Sequence, residues 1–204
     1  MVTAGLPAVL AQGVALLERA MGYTLGSLQL VTPEALGNAT PCSEWDLRAL
    51  LLHMNESLQA LHEAVAVGHL ELDPSLDASA VYADYGDPMH DPVASLRNRA
   101  CHMVGAWMSP SAPDVVSMAD RLVTADVVAA AGAIEVTVHG WDVAAACGAD
   151  RPIPESLARH LLDLCHVFVD DTDRPHRFGP ERRCRPGAAT SEQLLARLGR
   201  GPVA

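Results

Sequence analysis

Along the chain, long stretches in which apolar residues recur every three or four positions alternate with short stretches rich in Pro, Gly, Asp and Ser. From about Leu6 to Leu28, the positions Val9, Leu10, Val14, Leu16, Leu17, Met21 and Leu25 fall at helical spacing and predict a first helix. Pro33 and Gly37 punctuate the loop after it. Ser43, with Glu44 and Asp46 in the turn that follows, suits the N-cap of a second helix ending near Gly68. Its core stripe is Leu47, Leu50, Leu51, Met54, Leu58, Leu61 and Val65. The region from His69 to His90 has no sustained period and reads as a loop packed outside the body. Asp91-Pro92 pairs an N-cap with a proline at the first helical position and opens a third helix to about Met108.

Val115 to Val123 fits either an extended segment or a helical turn. A fourth helix spans about Thr124 to Cys147, with Gly148 at C′. Pro152 and Pro154 lead into a fifth, from about Glu155 to Val169. Asp170 to Arg185, polar and rich in Arg and Pro, is expected to wrap the outside, and Ser191 to cap a short last helix, Glu192 to Leu198. Four long helices with modest connections predict an all-α helical bundle, a single domain over residues 1–204 in which 170–204 form a tail.

Composition agrees. Half the residues are hydrophobic but only 4% are aromatic, so Leu, Val and Ala must fill the core, which suits helices. A net charge of −11 argues against duplex nucleic acid as a partner, since phosphate neutralisation needs clustered cations. All 14 basic residues are Arg, the mark of a high-GC genome. Cys42, Cys101, Cys147, Cys165 and Cys184 form no CxxC pair, and their odd number suggests reduced thiols in place of a disulfide framework. The start lacks the basic segment and cleavage site of a signal peptide, and no uninterrupted apolar run reaches about 18 residues. These features predict a cytoplasmic protein with no membrane partner, monomeric or homodimeric.

The candidate chemistry sits on the second and fourth helices. Glu135 and His139 are four residues apart, about 40° apart around the helix, and Asp142 falls about 20° to the other side of Glu135. All three flank positions expected to face the core, where unpaired burial is costly. They therefore meet a metal, meet each other, or line a wet cavity. His53, beside Leu50 and Met54, aims inward from the second helix and supplies a third nitrogen or oxygen donor. The plainer alternative, a core-edge His53 and a simple Glu135–His139 helix pair, stays open from spacing alone. Asp142 reads either as a polar residue near a helix end or as the acceptor for the free ring N–H of a ligating histidine, the reading that makes it a candidate in the chemistry. Trp141, about 100° from Asp142, reads as packing.

The rivals are weaker. His62, His160 and His166 lack a partner at a matching offset and read as surface or rim residues. His102, Arg97 and Arg99 on the third helix could face the cavity. Cys42 and Cys147 lie close in sequence to the candidate helices, without a sign of nucleophilic activation. Glu56, about 60° further from the core stripe than His53, reads as solvated. No G-x-S-x-G, P-loop or dinucleotide-binding glycine pattern occurs.

Three segments resemble the mycothiol-dependent maleylpyruvate isomerase family, whose metal-binding domain is a DinB-like four-helix bundle. They are Thr40-Pro41-Cys42 through Trp45-Asp46 to His53, Glu135-Val136-Thr137-Val138-His139-Gly140-Trp141-Asp142, and Gly187-Ala188-Ala189 through Leu194 to Arg200. Gly105-Ala106-Trp107-Met108-Ser109-Pro110 also resembles the family's pattern. The resemblance implies a divalent metal, zinc foremost, on His53, Glu135 and His139, with mycothiol as cosubstrate. A metal with an open position lowers the pKa of a bound thiol, so a thiolate is available at neutral pH to attack a small electrophile. Two features depart from the pattern. Residues 170–204 form only a tail where the isomerase proper has a further domain, so isomerisation of maleylpyruvate itself is not expected. Asn55-Glu56 replaces the small or apolar residues expected after His53.

Three classes of function remain: thiol transfer or isomerisation on a small-molecule substrate, a thiol-independent metal-dependent lyase, hydrolase or cyclase, and non-catalytic metabolite binding.

Overall fold

The structure, a computed structural model, describes residues 12–42, 45–70, 85–118, 121–174 and 178–201. Four helices form its body: α1 (Gly13–Ser27), α2 (Leu47–Val67), α3 (Pro92–Trp107) and α4 (Ala125–Ala146). α1 packs along α4, α4 on α2, α2 on α3, and α3 back on α1, which closes the bundle. Two shorter helices, α5 (Glu155–Phe168) and α6 (Thr190–Arg197), pack together, and α5 also rests on α4. This is the all-α bundle with a short C-terminal extension that the periodicity predicts.

The α2 stripe from Leu47 to Val65 is buried at all seven expected positions. The helix opens at Leu47 and not after Ser43, because Asp46 is the cap: its carboxylate accepts the Ala49 N–H at 2.8 Å. Ser43 itself lies outside the described residues. α3 begins as Asp91-Pro92 dictates, with Asp91 accepting the Ala94 N–H at 2.9 Å. α4 runs between Thr124 and Cys147, as expected. α6 begins at Thr190, with the Glu192 carboxylate reaching back to the Ala189 N–H at 3.0 Å, so Ser191 is inside the helix and not its cap.

The stretch left open between strand and helix is a hairpin. β2 (Val115–Met118) and β3 (Arg121–Thr124) pair antiparallel with Val115 opposite Thr124. β2 also pairs in parallel with β1 (His69–Leu70), giving sheet order β1-β2-β3 against α2 and α4. Of the expected His69–His90 loop, residues 71–84 lie outside the described residues.

α4, though interrupted by Asp126, Glu135, His139 and Asp142, has 22 residues and is long and apolar enough, by composition, to cross a membrane. That apolarity is used within the bundle, where 78% of its most apolar window is buried. The helix approaches α1 closely at Gly140, where a Cβ would overlap the Thr24 side chain. Thr24 in turn donates its hydroxyl to the Val136 carbonyl at 2.7 Å. The residue next to His139 is therefore pinned by a close contact between two helices of the bundle.

The tail does not simply wrap the outside. The Arg174 and Arg197 side chains tie residues 169–174 and 178–181 to α6 through the carbonyls of Arg197, Gly179 and Val169 and the carboxylate of Glu181. After α6 the chain turns at Gly199, with φ of +75° and its Cα so near Gly179 that a Cβ would come within 2.6 Å of that backbone. This turn sends Arg200 inward, where it is 7% exposed.

Candidate metal centre

His53 from α2 and Glu135 and His139 from α4 converge. Glu135 Oε1 lies 2.8 Å from His53 Nε2 and 3.1 Å from His139 Nε2. The three donor atoms lie within 4.8 Å of one another. His139 is buried, whereas the His53 and Glu135 side chains keep about a third of their surface, 32% and 31%, so the group opens to solvent on one side. Two imidazoles and a carboxylate with an open side suit a divalent cation, and zinc, nickel, manganese and iron all accept that donor set. Burial by itself would raise the Glu135 carboxyl, but His139 and His53 outweigh it and hold it well below the usual range. Burial by itself would lower His139, and Glu135, Asp142 and Cys42 together hold it well above. Both shifts favour the ion pair of a Glu135 carboxylate with a protonated His139 ring wherever no cation lies between them.

Asp142 has the position expected of it. Its Oδ2 lies 3.0 Å from His139 Nδ1, fixing which ring nitrogen faces Glu135. It is fully buried, and Arg200 joins His139 against it, with Nη2 and Nε 3.0 and 3.3 Å from its two oxygens. Burial would raise the Asp142 carboxyl, but the bonds from His139 and Arg200 lower it. Cys42 completes this inner layer, with Sγ 2.9 Å from Arg200 Nη2 and 3.4 Å from Asp142 Oδ2. Cys42, His139 and Asp142 also converge closely enough to hold a metal. Here a guanidinium already fills the cation's place, so this second group fits a bound ion poorly.

Arg200, Cys42, Trp45 and Ser57 belong to the site although spacing did not assign them to it. Thr40 organises the loop before α2: its hydroxyl lies 2.8 Å from the Trp45 carbonyl and 3.0 Å from the Cys42 carbonyl, and accepts the Cys42 N–H at 3.1 Å. Asn38 ties the same loop to the end of α4 through the Ala146 carbonyl at 2.9 Å. The loop thereby brings Cys42 to Asp142 and lays the Trp45 ring 4.5 Å from that of His53. Ser57, one turn beyond His53, donates to Glu135 at 3.3 Å. Its i+4 offset from His53 is a signal that the sequence carried. Arg200 had no such signal beyond its place in the C-terminal motif.

The rival residues lie elsewhere. His102 is exposed and packs on Tyr85 at 5.0 Å, while the buried Arg99 sets its guanidinium 4.9 Å from the same ring. Arg97 bonds the Leu28 carbonyl. None of the three lines the cavity beside Glu135 and His139. His62 also packs on Tyr85, and His160 bonds the Ser156 carbonyl. Glu56 is exposed, and Asn55 is structural, its amide donating to the carbonyls of Leu51 and Pro92 and so joining α2 to α3. Trp141 packs against the core.

Residues 17–144, the span that holds all three converging donors, match the mycothiol maleylpyruvate isomerase N-terminal domain family, and the chain belongs to that family. It is 28% identical over 192 residues to an uncharacterised protein of Mycobacterium tuberculosis, found in strains CDC 1551 and H37Rv. The alignment covers 90% of this chain and 94% of that protein. No solved structure matches.

Proposed function

We propose that the protein is a divalent-metal-dependent enzyme that activates the thiol of mycothiol for transfer to, or isomerisation of, a small electrophilic metabolite. The observation that carries this reading is the convergence of His53 Nε2, Glu135 Oε1 and His139 Nε2 on one solvent-facing point, in a chain of the mycothiol isomerase family. When bound, a cation there supplies one thing, a lowered pKa for a thiol at its open position. The chain's own residues do the rest. Asp142 accepts the His139 Nδ1–H and keeps the Nε2 lone pair aimed at the donor group. Glu135 contributes the negative charge, and Ser57 holds its carboxylate in place. Arg200 keeps Asp142 ionised without adding a free positive charge at the mouth. A cytoplasmic location, where small thiols stay reduced, accords with this chemistry.

The test is spectroscopic. Cobalt-substituted protein titrated with mycothiol should develop a thiolate-to-metal charge-transfer band. His53→Ala, Glu135→Ala and His139→Ala should each lose the ion by elemental analysis. A stoichiometric metal with a flat spectrum at saturating thiol would replace this reading with a thiol-independent metal enzyme.

A further inference from the structure

A narrow pocket runs from Glu135 and His139 into the middle of the bundle, and all four long helices contribute to it. Beyond the donor group its wall is hydrocarbon and thioether: Met21 from α1 and Leu28 from the turn just after it, Met54 and Leu58 from α2, Leu96 and Ala100 from α3. The polar side chains that touch it are already engaged. Thr24 donates to the Val136 carbonyl, Ser57 to Glu135, and Glu135 and His139 bond each other. Among the described residues no Arg lines it. Three arginines come near. Arg200 is paired with Asp142, Arg99 lies over Tyr85, and Arg97 is engaged by the Leu28 carbonyl, to which it donates at 3.0 Å.

We propose, resting on the metal–thiol reading above, that the electrophile carries an uncharged hydrocarbon tail that enters this pocket, and that a substrate bearing a carboxylate at that end is rejected. A carboxylate pushed between Leu58, Leu96 and Ala100 would lose its water and meet no cation. An alkyl group there gains with each methylene removed from water. The cavity is about 300 Å³ including its open mouth and is narrow within, so an entering tail must displace side chains. Met21 and Met54, unbranched and on facing helices, are the residues able to swing aside. The pocket therefore selects for a slim chain over a bulky ring.

Hydroxamates test this without turnover, because the head group binds the metal and the tail reads the pocket. Affinities of acetyl-, butyryl-, hexanoyl- and succinyl-monohydroxamate for the zinc-loaded protein would be measured by calorimetry. The expected result is a gain of about fourfold per methylene up to the length of the pocket, with the carboxylate-tailed succinyl compound at least tenfold weaker than butyryl. Ala100→Leu should abolish the chain-length gain while the bound zinc remains, and the series on the parent protein stands even if that variant misfolds. Equal affinities across the alkyl series, or a succinyl compound binding as tightly as butyryl, would overturn the proposal while leaving the metal reading intact. A zinc-free preparation, or no binding of acetohydroxamate, would remove the reading itself and this inference with it.

Discussion

The guanidinium of Arg200 spans both carboxylate oxygens of Asp142, 58 residues away in the chain, and Asp142 in turn holds His139. The turn that follows α6 is thus two bonds from a candidate metal ligand. Because the pair is buried, removing one partner leaves the other charge without compensation.

Arg200→Ala should therefore cost about 3–5 kcal/mol of folding stability, the usual penalty for breaking a buried ion pair. Chemical denaturation of the metal-free protein measures it. Arg200→Lys, which keeps the charge but not the two-pronged geometry, should fall between the parent and the Ala variant. An Ala variant as stable as the parent would mean that the tail is not anchored through this contact.

Asp142→Asn removes the carboxylate that orients His139 and leaves Arg200 facing a neutral amide. Metal affinity should drop by about 10–100-fold, the penalty typical of a lost partner behind a ligand. Competition with a chromophoric chelator reads this directly, and Trp141→Ala serves as a control that leaves the affinity unchanged.

The two sides of the donor group set a pH window for the metal-free protein. His139 is raised, so its contribution is complete below the unfolded histidine value of about 6.5 and fades as pH climbs through its folded value. Glu135 is depressed, so its contribution is complete above about 4.3 and fades as pH falls through its folded value. Melting temperatures should peak between those limits and decline toward alkaline pH. With zinc present the alkaline decline should vanish, since the ion takes the place of the ring protons.

Thiol reactivity should separate by burial. Cys101 and Cys184 are exposed and should react quickly with an aromatic disulfide reagent. Cys165 is buried and its thiol is pushed up to about 12, so it should react only after denaturation. Mass spectrometry of the labelled native protein distinguishes the three.

Much of this architecture is legible in the sequence for a simple reason: helix ends and helix faces are local. Asp91-Pro92 and Gly148 mark their boundaries through backbone chemistry confined to one turn. Glu135, His139 and Asp142 share a face by spacing, and His53 joins them because the stripe of α2 aims it inward. Ser43 and Asp46 both suit an N-cap, and only the bond to Ala49 chooses between them. Val115-Val116-Ser117-Met118 is too short and too irregular to reveal its partner strand. Arg200 was hidden most completely. Its contacts with Asp142 and Cys42 cross 58 and 158 residues, and no local period encodes them.

The contribution of α4 to both core and donor group limits how this site can diversify. Glu135, Gly140 and His139 cannot change without disturbing the contact with α1 or the donor geometry. The opposite wall, made by Met21, Met54, Leu96 and Ala100, belongs to the core too but supplies no donor atom, so another apolar side chain can replace one there. Variation that retunes the molecule toward a new metabolite therefore has its room at those wall positions, while α4 serves as the fixed rail along which the chemistry is mounted.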